Sequence, residues 1–336
     1  MLAVSLGDPA GIGPELICEA WTQREAAALP PFVVCGGAGV LRKAAQQRGL
    51  DCPVLPVADM REAAAAFSHA LPVLGALDGA YRPGAPDAQG ARLACDSLAA
   101  AAGLVVDGSA AALVTGPIAK AELAKVGFAF PGQTEFVAHA SGTAAADAVM
   151  LLAGPRLRTV PLTVHCALVD VPRLLTFELI VSRTRIVSEA MRVDFGIARP
   201  RLALTGLNPH AGEAGRMGRE EIEVIAPAIA ALRAEEIDAT GPHPADSLFA
   251  PHMRDSFDVA LAMYHDQALI PLKALDFDAG VNMTLGLPIV RTSPDHGTAF
   301  PIAGKGLASA GATIAAIRMA GEVAERRRSE ALVSSS

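Results

Sequence analysis

The sequence of 336 residues has few aromatic side chains and no excess of positive charge. Only 4% of its residues are aromatic, whereas 51% are hydrophobic. This composition is typical of a well-packed α/β enzyme and not of a disordered or fibrous chain. The net charge of −7 and the pI near 5.6 argue against a nucleic-acid partner, because such proteins carry a basic stripe. A local cluster of Lys and Arg can still bind an anionic substrate.

The chain also lacks a long apolar run. Its longest stretch without a charged residue, Ala26–Leu41, has 16 residues and includes two prolines and three glycines. It therefore does not predict a membrane span. The N-terminus has neither a basic segment nor a small-residue cleavage site. We expect a soluble, cytoplasmic protein with no membrane partner.

Paired cysteines are missing as well. The chain has five cysteines, an odd number, and none forms a CxxC pair. Most lie in apolar surroundings, which predicts reduced thiols in the core. Cys166, next to His165, is open to interpretation as a nucleophile or metal ligand, but a small buried hydrophobic residue is favoured.

Short apolar runs alternate with amphipathic patterns along most of the chain. This alternation predicts parallel βαβ units with helices on both faces of the sheet. No linker separates two domains, so we expect the chain to cross between two lobes more than once. Predicted strands are Ala3–Leu6, Phe32–Cys35, Val54–Val57 and Ala112–Thr115, and the helices are near 40–48, 92–103, 179–195, 219–234 and 308–326.

Three histidines, His165, His210 and His265, each follow an apolar run that reads as a buried strand. In open α/β sheets, ligands bind outside the carboxyl ends of the strands. Three imidazoles converging there would form an open metal site with coordination left for substrate. The alternative is three unrelated histidines that cap helices or bind turn carbonyls, and spacing does not decide between the two.

Glycine-rich segments follow two of the predicted strands, but neither is a dinucleotide fingerprint. Leu16 and Arg42 stand where the third glycine of GxGxxG belongs. The segment Thr115–Lys120 also opens a helix, whose N-terminus can accept an anion. An ordinary capped helix start explains it equally well.

Charged and polar residues are densest between residues 244 and 306. Single charges at the ends of apolar runs are usually surface ion pairs, but several in one stretch suggest a polar pocket. The residues concerned are Asp246, Asp266, Lys273, Asn282, Arg291 and Asp295.

Five ordered motifs resemble the 4-hydroxythreonine-4-phosphate dehydrogenase (PdxA) family, and the similarity extends from the first strand to the last helix. The motifs are Gly7–Glu15 (GDPAGIGPE), Thr115–Pro117 (TGP), Gly206–Glu213 (GLNPHAGE), Met263–Gln267 (MYHDQ) and Arg291–Thr298 (RTSPDHGT).

The resemblance implies an α/β fold like that of isocitrate and isopropylmalate dehydrogenases, with two lobes around a central cleft. The first lobe would comprise about residues 1–120 and 290–330, with the dinucleotide contacts. The second would comprise about 121–289, with the metal ligands and the dimer interface. It also implies a homodimer whose active sites draw residues from both subunits.

The reaction implied by the resemblance is oxidation of 4-phosphooxy-L-threonine, a small phosphorylated substrate, by NAD or NADP. The β-keto acid then decarboxylates to 3-amino-2-oxopropyl phosphate, a precursor of pyridoxal phosphate. One divalent metal per site would lower the pKa of the alcohol and stabilise the enolate. Three imidazoles favour zinc, cobalt or nickel over magnesium in intrinsic affinity, and zinc, cobalt, magnesium and manganese remain the candidate ions.

Site residues follow from the resemblance by position. His165, His210 and His265 would be the metal ligands, contributed across the dimer interface. Lys273, Asp246 and Asp266 are the candidate proton acceptors, and the choice among them stays open. Substrate contacts would come from Gln133, Thr134, Lys273, Asn282 and Arg291, and dinucleotide contacts from Asp295, His296, Gly297, Thr298 and Gly304.

One position departs from the family pattern. Gln133 stands where the family usually has histidine, and glutamine can bind through hydrogen bonds but cannot shuttle a proton. The first alternative is therefore a PdxA-like paralogue acting on a four-carbon sugar-acid phosphate or an aromatic cis-dihydrodiol carboxylate. The second is a phosphotransacetylase-like transferase, which would need no histidine-based metal site.

Overall fold

The computed structural model describes residues 1–334. Its contacts divide the chain into two compact units. Unit 1 consists of Met1–Ala148 and Leu287–Glu325, and unit 2 consists of Val149–Gly286 and the chain from Arg326 onward.

Unit 1 contains a parallel sheet whose strands lie in the order β3-β4-β2-β1-β5-β12. Its central strands are buried on both faces, which explains why they read as continuous apolar runs. The strands are Leu2–Ser5 (β1), Phe32–Cys35 (β2), Val54–Val57 (β3), Leu71–Leu74 (β4), Leu113–Thr115 (β5) and Arg291–Pro294 (β12).

Unit 2 contains a mixed sheet in the order β11-β6-β7-β10-β8-β9. Strands β7, β10, β8 and β9 pair in parallel. The strands are Val149–Ala153 (β6), Arg158–Pro161 (β7), Leu202–Thr205 (β8), Ala239–His243 (β9), Val259–Ala262 (β10) and Val281–Leu285 (β11).

Helices connect most of these strands. The helices of unit 1 are Gly13–Thr22 (α1), Ala38–Arg48 (α2), Met60–Ala66 (α3), Ala88–Val106 (α4), Lys120–Lys125 (α5) and Gln133–Ala140 (α6). Those of unit 2 are Val171–Leu174 (α7), Phe177–Val193 (α8), Ala226–Ala234 (α9), Ala245–Leu248 (α10), Pro251–Arg254 (α11) and His265–Asp276 (α12). The last helix is Gly311–Ser334 (α13).

Strand β6 is the exception to the predicted parallel pairing. It pairs antiparallel with both β7 and β11. The connection from β6 to β7 is a tight turn in which Gly154 N donates to Leu157 O at 2.9 Å. A connection this short cannot hold the crossover helix that a parallel pair needs, so the prediction was wrong at this position.

Residues 121–148 are predicted to belong to the second lobe, whereas they cluster with unit 1. Helix α6 explains the difference, because Val137 and Ala138 share a core cluster with Leu98 and Ala101 of α4. Sequence periodicity does not reveal which sheet a short helix covers.

The glycine-rich turn at the start of α2 is filled by the protein itself. Asp78 Oδ2 accepts a hydrogen bond from Gly39 N at 2.8 Å, and its other oxygen accepts from Val40 N at 3.4 Å. A carboxylate therefore occupies the position where a helix N-terminus would hold a phosphate. This agrees with the lack of a GxGxxG dinucleotide fingerprint at Gly37–Arg42.

The five cysteines are free thiols, as predicted, but Cys166 is only partly buried, so the prediction of a buried residue there was wrong. Cys18, Cys35 and Cys52 are buried, and burial raises the pKa of Cys35 to about 12. Among residues 1–334, no helix combines the length and the apolar character needed to cross a membrane.

A buried ion pair joins α1 to α2 in unit 1. The Glu15 side chain is completely buried and its Oε2 lies 3.0 Å from Arg48 Nη1. We expect Arg48→Met to lower the free energy of unfolding by about 3–5 kcal/mol, because it strands a buried carboxylate. Urea unfolding measures this, with Arg192→Met as the control. Arg192 forms half-exposed pairs, which contribute about 1 kcal/mol or less. Equal losses in both variants would contradict the prediction.

Candidate functional site

Two of the three strand-end histidines lie side by side in unit 2. The ring centroids of His165 and His265 are 5.9 Å apart. They follow β7 and β10, which are adjacent parallel strands, and Thr163 Oγ1 donates to Met263 O at 2.8 Å between the two strand ends. Imidazoles that bind one ion at about 2.1 Å have centroids roughly 5–6 Å apart. The pair therefore fits a shared divalent metal.

The same pair lines a cavity of about 310 Å³, together with Thr163, Cys166, Leu168, Val171, Tyr264 and Asp266. Asp266 Oδ1 lies 2.7 Å from His265 Nδ1. Because a carboxylate only accepts, Nδ1 is the donor, and the neutral ring then keeps its lone pair on Nε2 for a metal. Asp266, a candidate proton acceptor from the sequence, is thus engaged in orienting His265.

His210 lies in a left-handed turn that follows β8. All five residues from His210 to Ala214 have φ between 43° and 77°, and only one of them is glycine. Left-handed geometry costs roughly 1–2 kcal/mol for each residue with a side chain, and such strain persists only where the surroundings impose it.

The three histidines do not form one cluster in a single chain. Within residues 1–334, no three His, Cys, Asp or Glu side chains are grouped closely enough to hold a metal. His165 and His265 are together, and His210 is not with them.

The other predicted site residues of unit 2 lie on separate elements. Asp246 is exposed on α10. Lys273 lies in the last turn of α12, roughly 12 Å along the helix axis from His265, with its Nζ 5.9 Å from the Phe277 ring centroid. Asn282 lies on β11 opposite Leu152, and its buried Oδ1 has no hydrogen-bond partner among the described residues.

Unit 1 holds a buried guanidinium surrounded by hydroxyl groups. Arg291 is only 4% exposed. Its Nη2 donates to Thr115 Oγ1 at 2.8 Å, and its Nη1 donates to Thr134 Oγ1 at 3.4 Å. Burial lowers the pKa of Arg291 to about 10, partly offset by the Glu135 carboxylate. The group is therefore still cationic at neutral pH.

Helix α6 begins beside this guanidinium. Gly132 at its N-cap supplies no side-chain hydrogen bond, so the first N–H groups of the helix are left for another acceptor. Gln133 Nε2 donates to Gly116 O at 3.0 Å, while its buried Oε1 lacks a partner within the described residues. A buried cation, two hydroxyls and a helix N-terminus together form an anion-binding arrangement.

The predicted dinucleotide segment packs on the first glycine-rich motif within unit 1. Ile12 N donates to Thr298 O at 3.0 Å, and a Cβ on Gly11 would lie 2.9 Å from that oxygen. Gly304 O accepts from Gln47 Nε2 at 3.0 Å. His296 Nδ1 lies 3.1 Å from Gly297 O, and Asp295 directly follows β12. Gly11 therefore allows the motif to pack closely against this segment.

A family model described as "Pyridoxal phosphate biosynthetic protein PdxA" matches residues 28–320, most of the chain. The chain belongs to the PdxA family. A relative named 4-hydroxythreonine-4-phosphate dehydrogenase, from Erythrobacter litoralis, is 64% identical over 326 residues, which cover 97% of this chain and 97% of that protein. The resemblance predicted from the five motifs is confirmed.

Solved PdxA-like structures confirm the α/β fold. The 4-hydroxythreonine-4-phosphate dehydrogenase of Klebsiella pneumoniae is 36% identical, covers 96% of this chain and 99% of its own, and has a TM-score of 0.82. A terephthalate 1,2-cis-dihydrodiol dehydrogenase from Burkholderia xenovorans is 31% identical, covers 95% and 97% of the two chains, and has a TM-score of 0.63.

Two polar residues at these sites are absent from the sequence-based site assignment. Thr115 was recognised only as part of a turn motif, yet its hydroxyl binds Arg291. The other is Glu221, which is 3% exposed and binds Asn208 N close to His210. No pattern in the sequence indicates that this acid is buried. A buried carboxylate and an exposed one look alike in a helical pattern, so only packing distinguishes them.

Proposed function

We propose that this chain oxidises 4-phosphooxy-L-threonine with NAD or NADP and a divalent metal. The β-keto product would lose carbon dioxide to give 3-amino-2-oxopropyl phosphate in pyridoxal phosphate biosynthesis. The name of the 64% identical relative supports the activity. Within the structure, the observation that carries the proposal is the buried Arg291 beside Thr115 and Thr134, because it suits the phosphate of such a substrate.

In this proposal the phosphate binds at Arg291 and the N-terminus of α6. The guanidinium supplies charge and a planar fork of donors, which match two phosphate oxygens at once. The Thr115 and Thr134 hydroxyls accept from the guanidinium and can donate to the anion. Binding the non-reacting end of the substrate in this way orients the alcohol for oxidation.

We further propose that His165 and His265 hold the metal together with His210 of the partner subunit. When bound, the ion would act as a Lewis acid towards the hydroxyl and the ketone of the substrate. Zinc and cobalt suit imidazole ligands better than magnesium or manganese. The Asp266 carboxylate keeps the His265 ring in the orientation needed for a ligand, which leaves Lys273 or Asp246 as the proton acceptor.

The dinucleotide is proposed to bind along Asp295–Thr298 and Gly304. NAD or NADP would accept the hydride. Within unit 1, the segment is anchored by the Ile12–Thr298 hydrogen bond and by the Gln47–Gly304 hydrogen bond, so its backbone is held for a ligand.

A homodimer is proposed because large apolar side chains are exposed on the segments that follow His165 and His265. Val169 is 85% exposed and Leu168 is 66% exposed shortly after His165, and on the His265 side Ile270 of α12 is 65% and Phe277 72% exposed. Such side chains are typical of an interface when they form a patch. Sedimentation velocity tests this, since a chain of 34.4 kDa that stays monomeric at assay concentration would contradict it.

The function is tested by following NADH formation with 4-phosphooxy-L-threonine before and after metal is stripped. We expect turnover that is lost on stripping and restored by Zn²⁺ or Co²⁺. A second candidate is oxidation of an aromatic cis-dihydrodiol carboxylate, favoured by the 31% identical dihydrodiol dehydrogenase. Turnover of the terephthalate dihydrodiol alone, in protein that binds metal and NAD, would replace the first proposal with the second.

Gln133 is expected to contribute modestly to substrate binding. Its unpartnered Oε1 can accept a hydrogen bond only from an N–H or O–H group of the substrate and not from the ionised phosphate. Gln133→Ala should therefore lower kcat/KM by roughly 2- to 10-fold, the effect of one neutral hydrogen bond. Gln133→His should retain activity, because the ring N–H can replace Nε2 at Gly116 O. Steady-state kinetics of both variants measure this, and a loss of several hundred-fold in either would show that Gln133 does more than bind.

A further inference from the structure

A buried carboxylate binds the backbone immediately before the left-handed turn that carries His210. Glu221 is 3% exposed. Its Oε1 accepts from Leu207 N at 2.8 Å and from Asn208 N at 2.7 Å, and its Oε2 accepts from Asn208 Nδ2 at 3.0 Å. A carboxylate that receives three N–H bonds is held firmly in one position. It therefore fixes the backbone immediately before the turn.

The turn also packs directly against this carboxylate. A Cβ added to Gly212 would lie 2.5 Å from Glu221 Oε2, and one added to Gly206 would lie 3.1 Å from Oε1 and 2.9 Å from Ala211 Cα. Both glycines are therefore places where backbone and carboxylate approach closely. The Glu221 side chain thus contacts the backbone both before His210 and after it.

Asn208 connects the turn to the following helical segment. Its Nδ2 donates to Glu220 Oε2 at 2.7 Å as well as to Glu221. These acids stand at the start of a π-helical turn, Glu221–Ile225, and single π-turns occur frequently at functional sites. The hydrogen bonds to Glu220 and Glu221 therefore stabilise the turn, whose left-handed geometry is unfavourable by itself.

We propose that Glu221, together with Asn208, is a positioning residue that holds the left-handed turn and so presents the His210 imidazole as a metal ligand. This inference rests on the proposed function, in which His210 binds the metal. Residues with side chains favour right-handed geometry, so loss of the carboxylate contacts would let the turn relax and would move the imidazole.

The test compares Glu221→Gln with Glu223→Gln in the metal-free full-length protein. Glutamine keeps the size of Glu221 but replaces Oε2, the acceptor of Asn208 Nδ2, with an NH₂ donor. It also removes the charge that strengthens the two backbone N–H bonds to Oε1. Glu223 is the matched control, because it removes the same charge from the same segment and its partner is the exposed Arg219. The readouts are hydrogen exchange of the peptide covering 206–216 and titration with Co²⁺ followed by its visible absorption.

For Glu221→Gln we expect faster exchange in this peptide and Co²⁺ affinity weakened by about 10- to 100-fold, the usual effect of losing a residue that supports a metal ligand. Glu223→Gln should match the wild type in both. An unchanged rate of hydrogen exchange in Glu221→Gln would overturn the inference that Glu221 holds the left-handed turn. Faster exchange with unchanged Co²⁺ affinity, in an experiment where His210→Ala does weaken binding, would overturn the positioning role.

Failure of the proposed function has a different signature. If His210→Ala binds Co²⁺ as well as the wild type, then His210 is not a ligand and the positioning inference is overturned with it. If Glu221→Gln does not fold, Asn208→Ala replaces it. Asn208→Ala keeps the two backbone N–H bonds to the Glu221 carboxylate and loses only the side-chain bonds to Glu220 and Glu221. It should therefore weaken Co²⁺ binding, but by less than the roughly 10- to 100-fold expected for Glu221→Gln. Wild-type affinity in Asn208→Ala, with unchanged exchange, would count against the inference.

Discussion

Replacing His265 with alanine is expected to abolish metal-dependent turnover while leaving the fold intact. His265 stands at the first position of α12 with its ring 5.9 Å from that of His165, so the variant removes one of the two adjacent proposed ligands. Loss of a residue that merely supports a ligand costs about 10- to 100-fold in metal affinity, and loss of the ligand itself should cost more. Co²⁺ titration and NADH formation measure the effect, and circular dichroism checks the fold.

The control for this variant is His252→Ala, an exposed histidine on α11 of the same unit. It should retain wild-type metal binding and turnover. Near-normal activity of His265→Ala in metal-chelated buffer would show that the metal mechanism is wrong.

Mixing of inactive variants tests whether a second copy completes the site. Because the described residues of one chain do not group His210 with the other histidines, mixed dimers of His210→Ala and His265→Ala should contain one intact site each. Random mixing would then restore about a quarter of wild-type activity, as expected for a two-fold dimer. A mixture of His165→Ala and His265→Ala should restore none, since both ligands come from the same chain.

Arg291→Met is expected to lower kcat/KM for 4-phosphooxy-L-threonine by roughly 30- to 4,000-fold. This range corresponds to the 2–5 kcal/mol typical of removing one partner from a buried charge pair. The effect should fall mainly on KM, because the proposed role of the guanidinium is to bind the phosphate and not the reacting carbon. Arg291→Lys should be intermediate, since an ammonium group cannot bind Thr115, Thr134 and two phosphate oxygens together.

Lys43→Met is the matched control for Arg291→Met, because it removes an exposed positive charge from α2 of unit 1. It should leave KM unchanged, which separates local binding from the effect of net charge.

The contribution of Arg291 to substrate binding should also be constant through neutral pH and be lost as the pH rises through about 10, where the buried group loses its proton. An unchanged KM in Arg291→Met would rule out this phosphate site.

Local patterns were enough to predict most of the regular elements around the site. The apolar runs at β2 and β3 were predicted with the bounds that the structure has, Phe32–Cys35 and Val54–Val57. Strand β2 reads clearly because it is buried on both faces. Strand β3 is a partly exposed edge strand, and its short apolar run was still sufficient. Helix α6 was not assigned to the correct unit, because its packing partner α4 is distant in sequence and its own pattern is short.

The sequence by itself determined the family, the α/β class and the chemical types of the candidate residues, since these depend on residue identity and order. The tertiary structure alone decided which of them meet. It placed His165 beside His265 but not with His210, buried Arg291 between two threonine hydroxyls, and put Glu221 beneath the left-handed turn. Such outcomes depend on strand order and on contacts between residues far apart in the chain, and neither is encoded in a local pattern.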